Sequence, residues 1–250
     1  MADEPALRPA AVALVTGASS GIGAAVAEAL AARDCRVICA ARRIGRLREL
    51  ARRLGSGCHP LELDVTDADG VAGVLDRLPA ELREIDILVN NAGHDVGGRQ
   101  RFDLGDAGEW ASIIETNVIG LMRVSHAVVP GMVARRCGHV VNIGSIAGLR
   151  AIPGGSVYAA SKFAVRGFSD GLRADYEGSG VRATEIMPGT ARTEFALARW
   201  HGDRAKADAF YGGYDTLLAA EDVARCVVFA LEQPAHVVVS RLVVVPTSQS

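Results

Sequence analysis

Seven short, mostly β-branched apolar runs punctuate the chain: AVALVT (11–16), CRVICA (35–40), HPLELD (59–64), IDILVN (85–90), HVVNIG (139–144), VRATEIM (181–187) and VVVSRLVVV (237–245). Longer Ala- and Leu-rich stretches with helical periodicity lie between them, such as AAVAEALAAR (24–33) and EWASIIETNVIGLMRVSHAVV (109–129). Continuously apolar strands separated by helices of this length are repeated strand–helix–strand units. The pattern predicts an α/β fold, one doubly wound parallel sheet of about seven strands with helices on both faces.

No second compositional regime, repeat or low-complexity segment interrupts this alternation, so residues 1–250 are expected to form a single domain after a flexible start at 1–10. Two stretches read as irregular loops. One is DVGGRQRFDLGDAG (95–108), and the other is an insertion at 191–215. In a doubly wound sheet ligands bind beyond the carboxyl ends of the strands, where strand order reverses, so the residues after each run carry the functional information.

The first run leads straight into TGASSGIG and then a helix. Gly17, Gly21 and Gly23 allow a tight turn and close backbone approach, while Ser19, Ser20 and Ile22 complete a loop that presents a helix N-terminus to a pyrophosphate. A dinucleotide site is expected there. After the second run, where an NAD site usually carries an acid for the ribose, the chain reads CAARR. Ala41 stands at the acid's position, and Arg42 and Arg43 suit a 2′-phosphate, so the cofactor is read as NADP. Asp64 closes the third run before Val65, placed either to accept from an adenine amino group or to cap the next helix. Asn91, Ala92 and Gly93 close the fourth, with small residues that let the backbone run beside a nucleotide.

Asn117 lies on the apolar stripe of its helix with Ile113, Ile114, Val118 and Leu121, so its carboxamide requires buried partners and marks a site. Ser145 ends the fifth run on the same rim. Tyr158 and Lys162, in SVYAASK, stand one helical turn apart. After the sixth run, Pro188 and Gly189 shape a turn, and Thr190 and Thr193 are placed to bond a carboxamide.

The formal net charge of −2, without a long basic run, argues against nucleic acid or an anionic membrane and for a small-molecule partner. Six scattered His residues and five unclustered Cys residues give no metal spacing and fit core thiols in a reducing compartment. MADEPALRPA lacks the apolar core of a signal peptide, and no run reads as long enough to span a bilayer, so a cytoplasmic protein is expected.

TGASSGIG, NNAG, Asn117, Ser145, YAASK and PGTART together resemble the short-chain dehydrogenase/reductase family over nearly the whole chain. The resemblance implies a Rossmann-type fold, a nicotinamide cofactor, a dimer or tetramer packed through helices within 109–130 and 156–177, and a tetrad of Asn117, Ser145, Tyr158 and Lys162. Tyr158 would exchange a proton with a carbonyl oxygen, Lys162 and the oxidised cofactor would bring its pKa toward neutrality, Ser145 would hold that oxygen, and Asn117 would anchor a water. Within the family the chain is most similar to NADP-dependent 3-hydroxy acid and serine dehydrogenases, and somewhat less to clavulanate-type and sulfoacetaldehyde reductases. A substrate anion would need a cation, for which Arg150 is the first candidate, with Arg192 and Arg99 behind it. A 3-oxoacyl-carrier-protein reductase is the alternative, disfavoured by the ending PTSQS and the 191–215 insertion; a non-catalytic NADP sensor is disfavoured by the intact tetrad.

Overall fold

The computed structural model describes residues 7–249; most of the start expected to be flexible, 1–6, lies outside the described residues. The remainder of that start is tied down, Ala10 donating to the Asp34 carbonyl and the Arg8 guanidinium pairing with Asp86.

Seven parallel strands form one sheet: β1 (Val12–Thr16), β2 (Arg36–Ala41), β3 (Cys58–Glu62), β4 (Ile87–Asn90), β5 (Gly138–Ile143), β6 (Val181–Pro188) and β7 (Arg241–Val244), in the order β3-β2-β1-β4-β5-β6-β7. The order reverses between β1 and β4, which opens a crevice at their carboxyl ends. Side chains alternate across each strand and so feed two cores. Ala13 and Val15 pack under α1 (Gly21–Ala31), α2 (Ile44–Leu54) and α9 (Ala220–Leu231), whereas Val12 and Leu14 face α3 (Ala68–Ala72), α5 (Leu121–Arg135) and α6 (Ser156–Asp175).

α4 (Ala107–Ile114) runs into α5 through one π-helical stretch, Glu115–Gly120, which holds Asn117 at 1 % exposure. Such wide turns occur mostly as single insertions, often at functional sites. Counter to expectation, the continuous run Ala107–Arg135 is long and apolar enough to cross a membrane; half of it is buried inside the fold, as in a core helix.

The seventh strand is shorter than predicted. Arg182 donates to the carbonyls of Gln233 and Val237, bending 237–240 around its guanidinium before the ladder with β6 begins at Arg241. The 191–215 segment is not an irregular loop either. It forms α7 (Phe195–Arg199) and α8 (Arg204–Gly212), which bury Ala196, Ala207 and Tyr211 in a third, separate core against Trp200 and Phe210. Among the cysteines Cys35, Cys39 and Cys58 are buried free thiols, and Cys137 is exposed.

A polar chain crosses the centre of this apolar frame. Asn90 Nδ2 donates to Ser125 Oγ on α5 and to Asn142 Oδ1 on β5, and Asn142 Nδ2 donates to Ser169 Oγ on α6, each at 2.9 Å. The two serines then donate to carbonyls one turn back in their own helices. Asn142→Ala strips partners from Asn90 and Ser169, and the expected loss is about 2–3 kcal/mol of unfolding free energy. Urea denaturation measures it, and a change under about 1 kcal/mol would show the chain to be dispensable for stability.

Candidate active site

The crevice is built from the segments after β1, β2, β3, β4, β5 and β6. Gly17 adopts φ +67°, and a Cβ there would lie 2.8 Å from Asn91 Nδ2 and 2.9 Å from Ala92 Cα. A Cβ on Gly23 would lie 2.5 Å from the Gly17 carbonyl oxygen, so the loop and α1 are packed without room for side chains. Asn91 turns its amide inward, donating to the Thr16 and Gly17 carbonyls; it braces the loop, and the Asn91 and Ala92 N–H groups donate to Thr16 Oγ1. Ser20, the N-cap of α1, makes no side-chain cap, which leaves the first-turn N–H groups of the helix for a phosphate.

Arg42 and Arg43 both line the crevice. Arg43 donates to Ser19 Oγ and Ser20 Oγ and pairs with Glu194 at 3.0 Å, and Arg46 pairs with the same carboxylate at 2.6 Å. These contacts fix the guanidinium beside the glycine loop and, against the opposing effect of burial, lower the Glu194 carboxyl pKa. Asp64 does not cap a helix. Its Oδ1 accepts from Thr66 N and Oγ1, while Asp67 caps α3, so Asp64 lines the crevice beside Val65. A glycine cradle, an uncapped helix start and two arginines fit a dinucleotide bearing a 2′-phosphate.

At the inner end, Ser145, Tyr158 and Lys162 line the same crevice. Lys162 is 7 % exposed; its Nζ donates to the Ile143 carbonyl at 2.9 Å and stands 5.7 Å from the centre of the Tyr158 ring. Burial pulls this ammonium down to about 8, opposed by Glu185 and Asp95. Burial pushes the Tyr158 phenol up to about 12, opposed first by a hydrogen bond with Ser145. The chain's own residues therefore leave the phenol protonated and the lysine charged at neutrality, the state of a proton donor. The Lys162 ammonium is turned to the Ile143 carbonyl, and its charge acts on the phenol from across the ring.

Asn117 does not reach the crevice with its side chain. It accepts from His94 N and donates to the His94 carbonyl and to Ser161 Oγ, which in turn donates to the Tyr158 carbonyl. It positions the helix start that carries Tyr158. Thr190 is engaged by Gln249: Thr190 N donates to Oε1, and Gln249 Nε2 donates to Thr190 Oγ1. Thr193 sits over Gly21, while Pro188 and Gly189 line the crevice as expected.

Of the three candidate cations, only Arg99 lines the crevice; Arg150 and Arg192 are exposed outside it, Arg192 over the Tyr211 ring. The sequence reading missed Arg199 and Asp95, a pair 2.9 Å apart and each 4 % exposed by side chain, with Arg199 lining the same end as Tyr158.

A parallel sheet switching at β1/β4, a phosphate cradle and a Ser–Tyr–Lys group at one crevice together define a dinucleotide-dependent enzyme acting on a hydroxyl or carbonyl carbon. The profile of the short chain dehydrogenase family matches residues 11–203, and the chain belongs to that family. It is 43 % identical to sulfoacetaldehyde reductase 2 of Chromohalobacter salexigens over 96 % of this chain and 95 % of that one. It is 39 % identical to the NADP-dependent 3-hydroxy acid dehydrogenase of Schizosaccharomyces pombe over 94 % and 92 %. Among solved structures, the closed form of serine dehydrogenase complexed with NADP+ superposes with a TM-score of 0.92 at 41 % identity, covering 96 % of both chains.

The charged form of Lys162 predominates below about 8, so carbonyl reduction is expected to hold level at neutral pH and fall as pH rises through that value. A pH profile of reductive kcat/KM reads this out, and a profile flat to pH 10 would exclude Lys162 as the titrating group.

Proposed function

We propose that this protein is an NADP(H)-dependent oxidoreductase that interconverts a small hydroxy compound, a 3-hydroxy acid or a close analogue, with its aldehyde or ketone. The observation that carries the reading is the shared crevice: Arg42 and Arg43 stand at its phosphate end, and Ser145 and Tyr158 stand at the other beside the buried Lys162. The names of the relatives support the cofactor and the substrate class.

Bound NADPH supplies the hydride. Ser145 and Tyr158, side by side in the crevice, bracket the carbonyl oxygen, and Tyr158 gives its proton to the oxygen as negative charge develops there. Lys162, held by the Ile143 carbonyl, stabilises the phenolate left behind through its charge. Asn117, through Ser161, keeps the Tyr158 backbone in place and is a positioning residue. In the oxidative direction the phenol needs the positive charge of the oxidised cofactor to act as a base.

The reading includes a cytoplasmic location and a homodimer or homotetramer. α6 supports self-association with an exposed face of Ala160, Phe163 and Gly167, where the space around Gly167 is open for a second copy.

Purified protein is expected to oxidise NADPH with small oxo acids or their aldehydes, and Tyr158→Phe to lower kcat by at least about 1000-fold while cofactor affinity stays within a few-fold. Arg42→Ala with Arg43→Ala should raise the KM for NADPH about 10- to 100-fold and leave that for NADH nearly unmoved. Full turnover by Tyr158→Phe, or equal effects on the two cofactors, would sink the respective assignment.

A further inference from the structure

The guanidinium of Arg199 is buried at the substrate end of the crevice with its hydrogen bonding incomplete. Nε donates to Asp95 Oδ2 at 2.9 Å, but Nη1 is buried and has no partner. Three rings close around the group, with centres 4.6 Å (Phe210), 5.2 Å (Trp200) and 5.5 Å (Phe195) from Cζ. The rings favour a cation over their faces and offer Nη1 no acceptor. A buried donor on a charged group is costly to leave unfilled, so the pocket is built for a polar occupant.

The charge balance points to the sign of that occupant. Arg99, also lining the crevice, lies 5.1 Å from the centre of the same Phe210 ring, so two guanidiniums face one carboxylate. Burial pushes that carboxyl up to about 6, so it still carries most of its charge at neutrality and balances one guanidinium of the two. The position relative to the chemistry is set by Phe195, whose ring lies 5.8 Å from the Tyr158 ring and 5.5 Å from the guanidinium. Arg199, Arg99 and Asp95 all act electrostatically on the Tyr158 phenol.

We propose that Arg199, through Nη1 and assisted by Arg99, binds the anionic group of a short hydroxy or oxo acid and thereby selects carboxylate- or sulfonate-bearing substrates. This rests on the oxidoreductase reading above. Asp95 is the positioning residue that orients the guanidinium. One aromatic ring separates the cation from Tyr158, so the anion stands only a few bonds from the carbonyl. Long acyl thioesters, which bring no anion to this point, are poor substrates.

The test compares NADPH-dependent reduction of malonate semialdehyde and sulfoacetaldehyde with that of uncharged 3-hydroxypropanal, in wild type, Arg199→Gln, Arg199→Lys and Asp95→Asn. The ratio of kcat/KM for each acid to that for the uncharged aldehyde is expected to fall about 10- to 100-fold in Arg199→Gln, mostly through KM, and less in Arg199→Lys. Asp95→Asn keeps an acceptor for Nε while removing the competing charge, and it should lower KM for both acids. An unchanged ratio in Arg199→Gln would overturn the proposal, since a purely structural residue affects charged and uncharged substrates alike. The two acids separate a carboxylate from a sulfonate site. Should no aldehyde turn over, the oxidoreductase reading fails, and calorimetry of 3-hydroxypropionate on the NADP-loaded protein decides the site independently. Equal binding to wild type and Arg199→Gln, or none to wild type, rejects it. If Arg199→Gln fails to fold, Arg99→Ala replaces it, with a smaller fall in the same ratio expected and an unchanged ratio rejecting the proposal.

Discussion

Everything catalytic in this molecule depends on two helices being held in one register against the sheet, and the device that does so is the buried chain Ser125–Asn90–Asn142–Ser169. Apolar contacts alone tolerate small sliding, because one methyl packs much like the next. Hydrogen bonds in a low-dielectric interior do not, and although Asn90 Oδ1 is buried without a partner, the bonds this chain makes favour one arrangement over its neighbours. α5 continues the run that bears Asn117, and α6 bears Tyr158 and Lys162. The link from Asn117 to Ser161 and on to the Tyr158 carbonyl then joins the two runs again beside the phenol.

The crevice is electrostatically divided. At the phosphate end, Arg43 is committed to Ser19, Ser20 and Glu194, whereas Arg42 lies in the same wall, its charge adding to the burial that lowers the His94 pKa and to the Thr66 bonds that, against burial, lower that of Asp64. Glu194 also draws the segment before α7 toward the glycine loop, where Thr193 sits over Gly21. Substrate wall and cofactor wall therefore meet through an ion pair at half-exposed side chains, an interaction whose strength falls with salt.

Much of this was legible in the sequence because it is local. Apolar runs located the strands to within a residue or two except at β7, and the glycine loop, CAARR, Ser145 and the Tyr158–Lys162 pair follow their strands directly. What was hidden is long-range pairing. Arg199 meets Asp95 across 104 residues and Thr190 meets Gln249 across 59, and no spacing rule reports either. Arg199 was also masked by the reading of 191–215 as a loop, since without a helix there was no buried face on which an arginine would look out of place. Asn117 was found by its position on an apolar stripe, but the stripe gives burial and not partners, so the bonds of its carboxamide to His94 and Ser161 were not legible.

The third core, of Ala196, Ala207 and Tyr211 with Trp200 and Phe210, stands apart from the two that sandwich the sheet. The wall carrying Arg199 rests on this small cluster, while the cofactor cradle and the proton donor rest on the large ones. Residues that decide which compound is accepted can thus drift without disturbing the frame that performs the reaction. Two relatives that each share about two-fifths of this chain's residues carry names as different as sulfoacetaldehyde reductase and 3-hydroxy acid dehydrogenase.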